Sequence, residues 1–345
     1  MKEKVYGGGL VQSIAAAILK AGLVDEVLAF VTGLDGRDII PAFITSEDEA
    51  QRITTASYNP CSLAKLLHKY GDQHKKIGVV VRSCDARAII ELAKRHQINL
   101  DNIYMIGREC YGVANINEDV SGALHIFFDR IEVDGKEQKW EEKMLRPNCL
   151  RCEYPIPTMA DVSVSIDNNS VKAFTEKGKQ ILAAANIAES EGATDDLTAV
   201  KERASKYQER DFGELTKMEP EERLNYWLSQ FDKCIKCYGC RDACPICYCK
   251  DCTLEPEHML VKGAQLPPEK VFHLTRLIHV APGCVNCGQC EAACPAGIPI
   301  SKLYHQLYKE LSSIFRYESG FDVNVPPPLD TITDEELTLG GVTID

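Results

Sequence analysis

Over the first 190 residues, continuous apolar runs of strand length alternate with segments whose apolar residues recur every three to four positions. "LVQSIAAAILKAG" predicts a helix closed by Gly22, and "EVLAFVT" a buried strand. "DIIPAFIT" predicts a second strand, and "SEDEAQRIT" opens on a serine cap ahead of acidic residues. "SLAKLLHKYG" predicts a helix ending at Gly71. "KIGVVVRS" is an apolar strand that runs into the amphipathic "CDARAIIELAKRH", and "NIYMIGREC" repeats the strand theme. This β-then-α order predicts an α/β unit over 1–190 with a mostly parallel sheet, its ligands gathered at the C-terminal ends of the strands.

From 191 to 230 the pattern turns charged and helical ("AVKERASKYQERDFGELTKMEPEERLNYWLSQF"), which reads as a helical connector. Residues 231–310 hold two cysteine-rich stretches separated by the helical "PPEKVFHLTRLIHVAPG". The remainder, 311–345, is acidic and proline-marked and predicts an extended arm, either a flexible end or a strap onto a partner subunit.

The cysteine spacing carries the chemistry. Cys234, Cys237, Cys240 and Cys244 follow C-x2-C-x2-C-x3-C with Pro245 next, and Cys284, Cys287, Cys290 and Cys294 repeat the string with Pro295. This is the bacterial ferredoxin run, in which three thiolates of one motif cap a cubane and the fourth serves the other cluster. The expected sets are therefore Cys234, Cys237, Cys240 and Cys294 for one [4Fe–4S] cluster, and Cys284, Cys287, Cys290 and Cys244 for the second. The module is expected to have the α+β bacterial-ferredoxin-like fold. Zinc is the competing reading, but it favours C-x2-4-C pairs separated by a longer loop. Cys247, Cys249 and Cys252 offer only three further thiolates unless Cys61 or a histidine joins them. They read as free thiols near a cluster or as alternative ligands to it.

Composition narrows the partners. With 345 residues, 45% hydrophobic and 26% charged, the chain is long enough for about two domains. A formal net charge of −12 offers no basic stripe for nucleic acid. No run of about 18 apolar residues exists to span a membrane. Sixteen cysteines at cluster spacing, behind an N-terminus without a signal-peptide apolar core, point to a reducing cytoplasm. Low-potential clusters further suggest an anaerobic host.

Four more cysteines lie in the α/β part: Cys84 after "VVVRS", Cys110 after "IYMIGRE", and Cys149 and Cys152 as a C-x2-C pair. Two strand-end cysteines lie on one edge of a parallel sheet, where a C-x2-C loop would complete four thiolates. As single residues, Cys84 and Cys110 read equally as small buried hydrophobes.

The order "GGGLVQSIAAAILKAGLVDEVLAF", "TTASYNP", "VVVRSCDARAIIELAK", "IYMIGREC", "CLRCEYPIPTMADVSVSID" and "FTEKGKQIL" resembles the beta-subunit family of coenzyme F420-reducing hydrogenases and F420-dependent formate dehydrogenases. The likeness covers about residues 5–185, and the C-terminal dicluster module makes the formate dehydrogenase type the nearer one. The resemblance implies FAD on the α/β unit and a third [4Fe–4S] cluster on Cys84, Cys110, Cys149 and Cys152. It implies an electron-transfer oxidoreductase subunit with no catalytic side chain. The implied partner is a catalytic subunit of the formate dehydrogenase alpha type, with hydrogenase or heterodisulfide reductase subunits as alternatives.

The resemblance also implies flavin contacts at Gly7, Gly8, Gly9, Gln12 and Ser13, where "YGGG" before a helix presents backbone N–H groups to a phosphate. It adds the loop Ser57, Tyr58 and Asn59, and more weakly Lys177. The family's glycine-threonine-proline-cysteine-glutamine string reads "RSCDA" here, setting Arg82 and Asp85 beside cluster and flavin. That departure leaves coenzyme F420, NAD(P)H or no soluble carrier open. A flavin-free iron–sulfur adaptor is the competing function.

Overall fold

The computed structural model describes residues 8–33, 39–58, 61–115, 124–133, 135–139, 141–190, 197–255 and 269–328. The chain opens with α1 (Gly8–Lys20), β1 (Glu26–Thr32), β2 (Ile39–Ile44), α2 (Glu47–Ala50), α3 (Leu63–Tyr70), β3 (Ile77–Val81), α4 (Ser83–Lys94) and β4 (Ile103–Arg108). Three short strands follow, β5 (Leu124–Ile126), β6 (Ile131–Val133) and β7 (Lys136–Gln138), then α5 (Pro147–Leu150), β8 (Val162–Val164), β9 (Val171–Ala173) and α6 (Glu176–Ala185). The rest is helical: α7 (Thr198–Lys217), α8 (Pro220–Phe231), α9 (Gly239–Asp242), α10 (Glu269–Val280), α11 (Gln289–Ala292) and α12 (Ile300–Phe315).

The main sheet is mixed, in the order β2-β1-β3-β4-β8-β9. Its four inner strands are parallel, while β2 and β9 pair antiparallel at the two edges. The expected mostly parallel sheet thus needs qualifying at both edges. The connections after β1 and β8 are too short for a crossover helix, so each following strand turns back on its neighbour. A separate meander, β5-β6-β7, was not foreseen in the sequence.

Helices cover both faces, which is why the inner strands read as unbroken apolar runs. Val27, Ala29 and Val31 of β1 face Val11, Ile14 and Ile18 of α1 and Ile181 of α6. The alternate residues Leu28 and Phe30 face Leu63 and Leu67 of α3 and Ile89 of α4. This second core continues without a break into Ile246, Val280 and Val285 of the cysteine-rich half. The two halves therefore share a hydrophobic layer.

Among the described residues between 231 and 310 the structure has helices and turns and no strand, in contrast to the expected α+β module. Burial there comes from α10 and α12 closing over the cysteine loops. Phe272 of α10, with Ile300 and Tyr304 of α12, supplies the apolar cover.

The arm expected from 311 begins later. α12 continues to Phe315, and residues 317–322 fold back on the chain's own α4. Arg87 Nε donates to the Ser319 carbonyl at 2.8 Å, and its guanidinium lies 5.1 Å from the Phe321 ring centroid. Residues 329–345, the acidic end of that arm, lie outside the described residues.

Gly320 makes this return possible. Its φ is +75°, and a Cβ there would meet the Arg87 carbonyl at 2.3 Å. Gly320→Ala is expected to cost about 2 kcal/mol or more, from the left-handed backbone plus the clash. Chemical denaturation checks it.

Candidate iron–sulfur and flavin site

The parallel strands direct two cysteines to the C-terminal edge of the sheet. β3 ends at Val81, and Cys84 sits in the first turn of α4; β4 ends at Arg108, two residues before Cys110. The loop around α5 brings Cys149 and Cys152 to the same place. All four line one cleft of about 520 Å³, together with Arg82, Ser83, Arg146, Asn148 and Arg203. The Ser83 hydroxyl and two guanidinium nitrogens of Arg203 are buried there without a protein partner. Such orphan donors are costly unless something anionic satisfies them. A cluster carried on four thiolates fits that requirement.

The two ferredoxin-type motifs fold alike. The residues flanking the second cysteine are left-handed in both: Lys236 (φ 55°) and Tyr238 (φ 59°) in one, Asn286 (φ 53°) and Gly288 (φ 68°) in the other. This winding turns successive N–H groups inward, as in anion-binding nests. Lys236 N–H donates to the Cys234 sulfur at 3.4 Å. Cys234, Cys237, Cys240 and Cys294 line one cavity of about 300 Å³ with Phe272 and His273. Cys284, Cys287, Cys290 and Cys244 line another of about 350 Å³ with Tyr304. The grouping read from spacing, with each motif lending its last cysteine to the other set, is thus the grouping in space. Each cavity again holds a buried polar group without a protein partner: the His273 imidazole in the first, the Tyr304 hydroxyl in the second.

Among the described residues, no three or more of His, Cys, Asp and Glu converge on a single ion. Tetrahedral zinc would draw its thiolates to within about 4 Å of one another. A cubane instead gives each thiolate its own iron, so its four sulfurs stand farther apart than those of a zinc site.

The second and third sets are neighbours. Asn286 and Cys287 line both cavities. Arg146 donates to the Gly288 carbonyl at 2.6 Å, and the Asn148 and Asn286 side-chain amides donate to each other's carbonyls at 3.1 Å. The fit is close: a Cβ on Gly288 would fall 2.2 Å from Asn148.

Burial pushes the thiols up, Cys240 to about 11, Cys152 and Cys284 to about 12, and Cys84 and Cys290 well above the usual range. Nearby guanidiniums oppose this, Arg276 at Cys240 and Arg87 at Cys152 and Cys284. Iron binding requires thiolates, so loading would expel protons from these sites.

Arg82 and Asp85, the departure from the family string, form a buried ion pair at 2.8 Å on the wall of the third cleft. Asp85 also accepts from the Ser62 hydroxyl at 3.1 Å and the Leu63 N–H at 3.0 Å. Arg82 donates to the Cys61 carbonyl as well. The pair anchors the start of α3 to the start of α4.

The expected flavin residues are only partly brought together. α1 begins at the C-terminal edge of the sheet, because Gln12 donates to the Gln51 and Ile53 carbonyls at 2.9 and 2.7 Å and Ile53 bridges Val31 of β1. Gly8 and Gly9 are therefore on the cysteine side of the sheet, with no acidic residue in the first turn of the helix. Ser13 bonds back to the Gly9 carbonyl at 2.7 Å. Ser57 is buried and backbone-bonded to Leu124 and Ala114, and Tyr58 packs beside them. Gly7 and Asn59 lie outside the described residues.

Lys177 is elsewhere. Its ammonium donates to the carbonyls of Leu100, Asp101 and Ile103 at 2.6, 3.0 and 2.9 Å, at the N-terminal end of β4. That is the opposite edge of the sheet from Cys110. Its role there is to tie α6 to the turn entering β4, which corrects the sequence reading.

Cys247, Cys249 and Cys252 line none of the three cysteine cavities but a separate basic cleft with Lys65, Arg241 and Lys250. Arg146, Arg203 and Arg276 were not singled out in the sequence. Each sits on a helix or at its start, where a charged residue ordinarily signals a solvated face.

Residues 233–299 match the 4Fe-4S dicluster domain family, and residues 1–68 match the N-terminal part of the coenzyme F420 hydrogenase/dehydrogenase beta subunit. The chain is 35% identical over 364 residues to the F420-dependent formate dehydrogenase subunit beta of Methanocaldococcus jannaschii, covering 93% of each. It is 34% identical over 376 residues to the F420-dependent formate dehydrogenase 1 subunit beta of Methanococcus maripaludis, covering 95% of this chain and 94% of the relative. A chain of the F420-reducing [NiFe] hydrogenase complex from Methanosarcina barkeri superposes at 16% identity with a TM-score of 0.48, over 60% of this chain and 86% of that one. No described helix is long and apolar enough to cross a membrane. The chain belongs to the F420-dependent formate dehydrogenase beta-subunit family, and is an oxidoreductase subunit with a 4Fe–4S dicluster domain for electron transfer.

Proposed function

We propose that this subunit moves electrons between coenzyme F420 and a formate dehydrogenase-type catalytic subunit, using FAD and three [4Fe–4S] clusters. Residues 1–190 form the flavin and third-cluster unit, 191–230 a helical connector and 231–310 the dicluster unit. The observation that carries this reading is the three cavities, each lined by one of the four-cysteine sets, two of which share Asn286 and Cys287. When bound, the flavin would exchange two electrons as a hydride and the clusters would pass them singly.

The chain's own residues do the remaining work. The twelve cysteines fix the spacing between clusters. Ser83, Arg203, His273 and Tyr304 offer buried donors on the cavity walls. Phe272 and Ile300 pack against the first cluster set, of which Cys240 is buried and Cys237 exposed. Gly8 and Gly9 leave the start of α1 open to a phosphate.

A second reading, a flavin-free relay, is favoured by one specific observation. The side-chain donors of Gln12, Ser13 and Lys177 are already given to backbone carbonyls.

One anaerobic preparation separates the two. The flavin reading expects about twelve irons and one FAD per chain, and bleaching of the flavin by reduced F420. About eight to twelve irons without flavin, and no response to F420, would favour the relay. Bleaching by NAD(P)H alone would reassign the carrier.

A further inference from the structure

Arg276 is a charged residue in the middle of α10 and is only 2% exposed. One of its terminal nitrogens, Nη1, donates to the Cys240 sulfur at 3.2 Å. The other, Nη2, donates to the Cys240 carbonyl at 3.1 Å and to the Cys247 sulfur at 3.6 Å. Cys247 in turn donates its backbone N–H to the Cys244 carbonyl at 3.2 Å. Cys240 lines the first cluster cavity and Cys244 the second. A single guanidinium thus joins, by hydrogen bonds, a ligand of one proposed cluster to a ligand of the other. Cys247, which belongs to no four-cysteine set, is the intervening residue.

The guanidinium lies 5.9 Å from the Phe272 ring centroid and 5.5 Å from that of Tyr304, so aromatic groups hold it and limit solvent screening. Among the described residues no carboxylate is paired with Arg276. Its hydrogen-bonded partners are two sulfurs and one carbonyl. An arginine buried in this way gains its compensation from thiolate and cluster charge.

Reduction of a [4Fe–4S] cluster adds one electron and hence one negative charge. A buried cation hydrogen-bonded to a ligand sulfur stabilises that reduced form and raises the potential. Resting on the iron–sulfur reading above, we infer that Arg276, with Cys247 as its relay, sets the potentials of the two dicluster centres. It acts directly on the Cys240 cluster and through Cys247 on the Cys244 cluster. Arg276 is a positioning residue and not a catalytic one.

The test is an EPR-monitored redox titration of the full, cluster-loaded chain, with Cys237→Ser, Cys290→Ser and Cys149→Ser used to assign the signals of the three proposed clusters. Iron content is measured on every variant. Arg276→Gln should keep its iron and shift the reduced-to-oxidised ratio of the Cys240 cluster more than tenfold toward oxidised at fixed potential, a fall of more than 59 mV for one electron. The Cys244 cluster should shift less. Cys247→Ala should reverse the pattern, moving the Cys244 cluster and leaving the Cys240 cluster within about twofold. Should Arg276→Gln not retain its clusters, Arg276→Lys decides, since it keeps the charge and loses the forked contact. A smaller fall confined to the Cys240 cluster supports the inference. Unchanged potentials in iron-replete variants would overturn it while leaving the iron–sulfur reading intact. Wild-type protein with no iron or EPR signal would overturn both.

Discussion

A chain carrying Cys287→Ala is expected to lose about four of about twelve irons, the content of one cubane. Its F420-linked formate oxidation should fall more than about 100-fold, past the usual effect of removing only a hydrogen-bonding neighbour of a metal ligand. Cys287 is the position to choose because it lines both the second dicluster cavity and the third cleft. Losing the cluster it holds would interrupt the route between the α/β unit and the outer dicluster centre. Formate oxidation by the catalytic partner with an artificial dye should survive, which separates a broken route from a damaged enzyme. Cys249→Ala is the control: Cys249 is exposed and lines none of the three cysteine cavities. It should retain full iron. Equal iron in both variants would mean that Cys287 is not a ligand.

Much of this was legible in sequence because the determinants are local. "EVLAFVT" and "IGVVV" are buried at almost every position, and unbroken apolar runs of that length have few alternatives to an inner strand. Ser46 caps α2 as its place before acidic residues predicted, accepting from the Glu49 N–H. The crossed cysteine grouping follows from spacing, since three thiolates on one loop leave a fourth corner for a distant ligand. What could not be read depends on pairs far apart in the chain. Arg276 meets Cys240 across 36 positions and Arg146 meets Gly288 across 142. Nothing in the local pattern of α10 distinguishes a buried arginine from a solvated one. Lys177 misled for the complementary reason: a lysine at a helix start suits an anion, but here three backbone carbonyls at the far edge of the sheet take its donors.

The same distance argument leads to Glu91, whose replacement by alanine should destabilise the folded chain by about 3–5 kcal/mol, the usual cost of breaking a buried charge network. Glu91 lies in the C-terminal third of α4 at 0% exposure. Its carboxylate accepts from Lys94 at 3.3 Å, from Arg95 at 2.5 Å, from the Tyr317 hydroxyl at 2.5 Å and from the Gly320 N–H at 2.7 Å. Removing it leaves the Lys94 and Arg95 side chains, 1% and 6% exposed, without that counter-charge. It also strands a buried N–H in the returning segment. Glu91→Gln should cost less, because the amide oxygen still accepts from Gly320. The consequence reaches the clusters. The segment that Glu91 holds carries Phe321, which with Tyr154 flanks the Arg87 guanidinium, and Arg87 favours the thiolates of Cys152 and Cys284. Loosening it should therefore speed iron loss to a chelator from the second and third cysteine sets while sparing the set around Cys240. A urea denaturation series and a timed chelation assay together test the point. Destabilisation below about 1 kcal/mol, the range of exposed ion pairs, or uniform iron loss from all three sets, would show that the returning segment is an ornament to the fold and not part of the cluster housing.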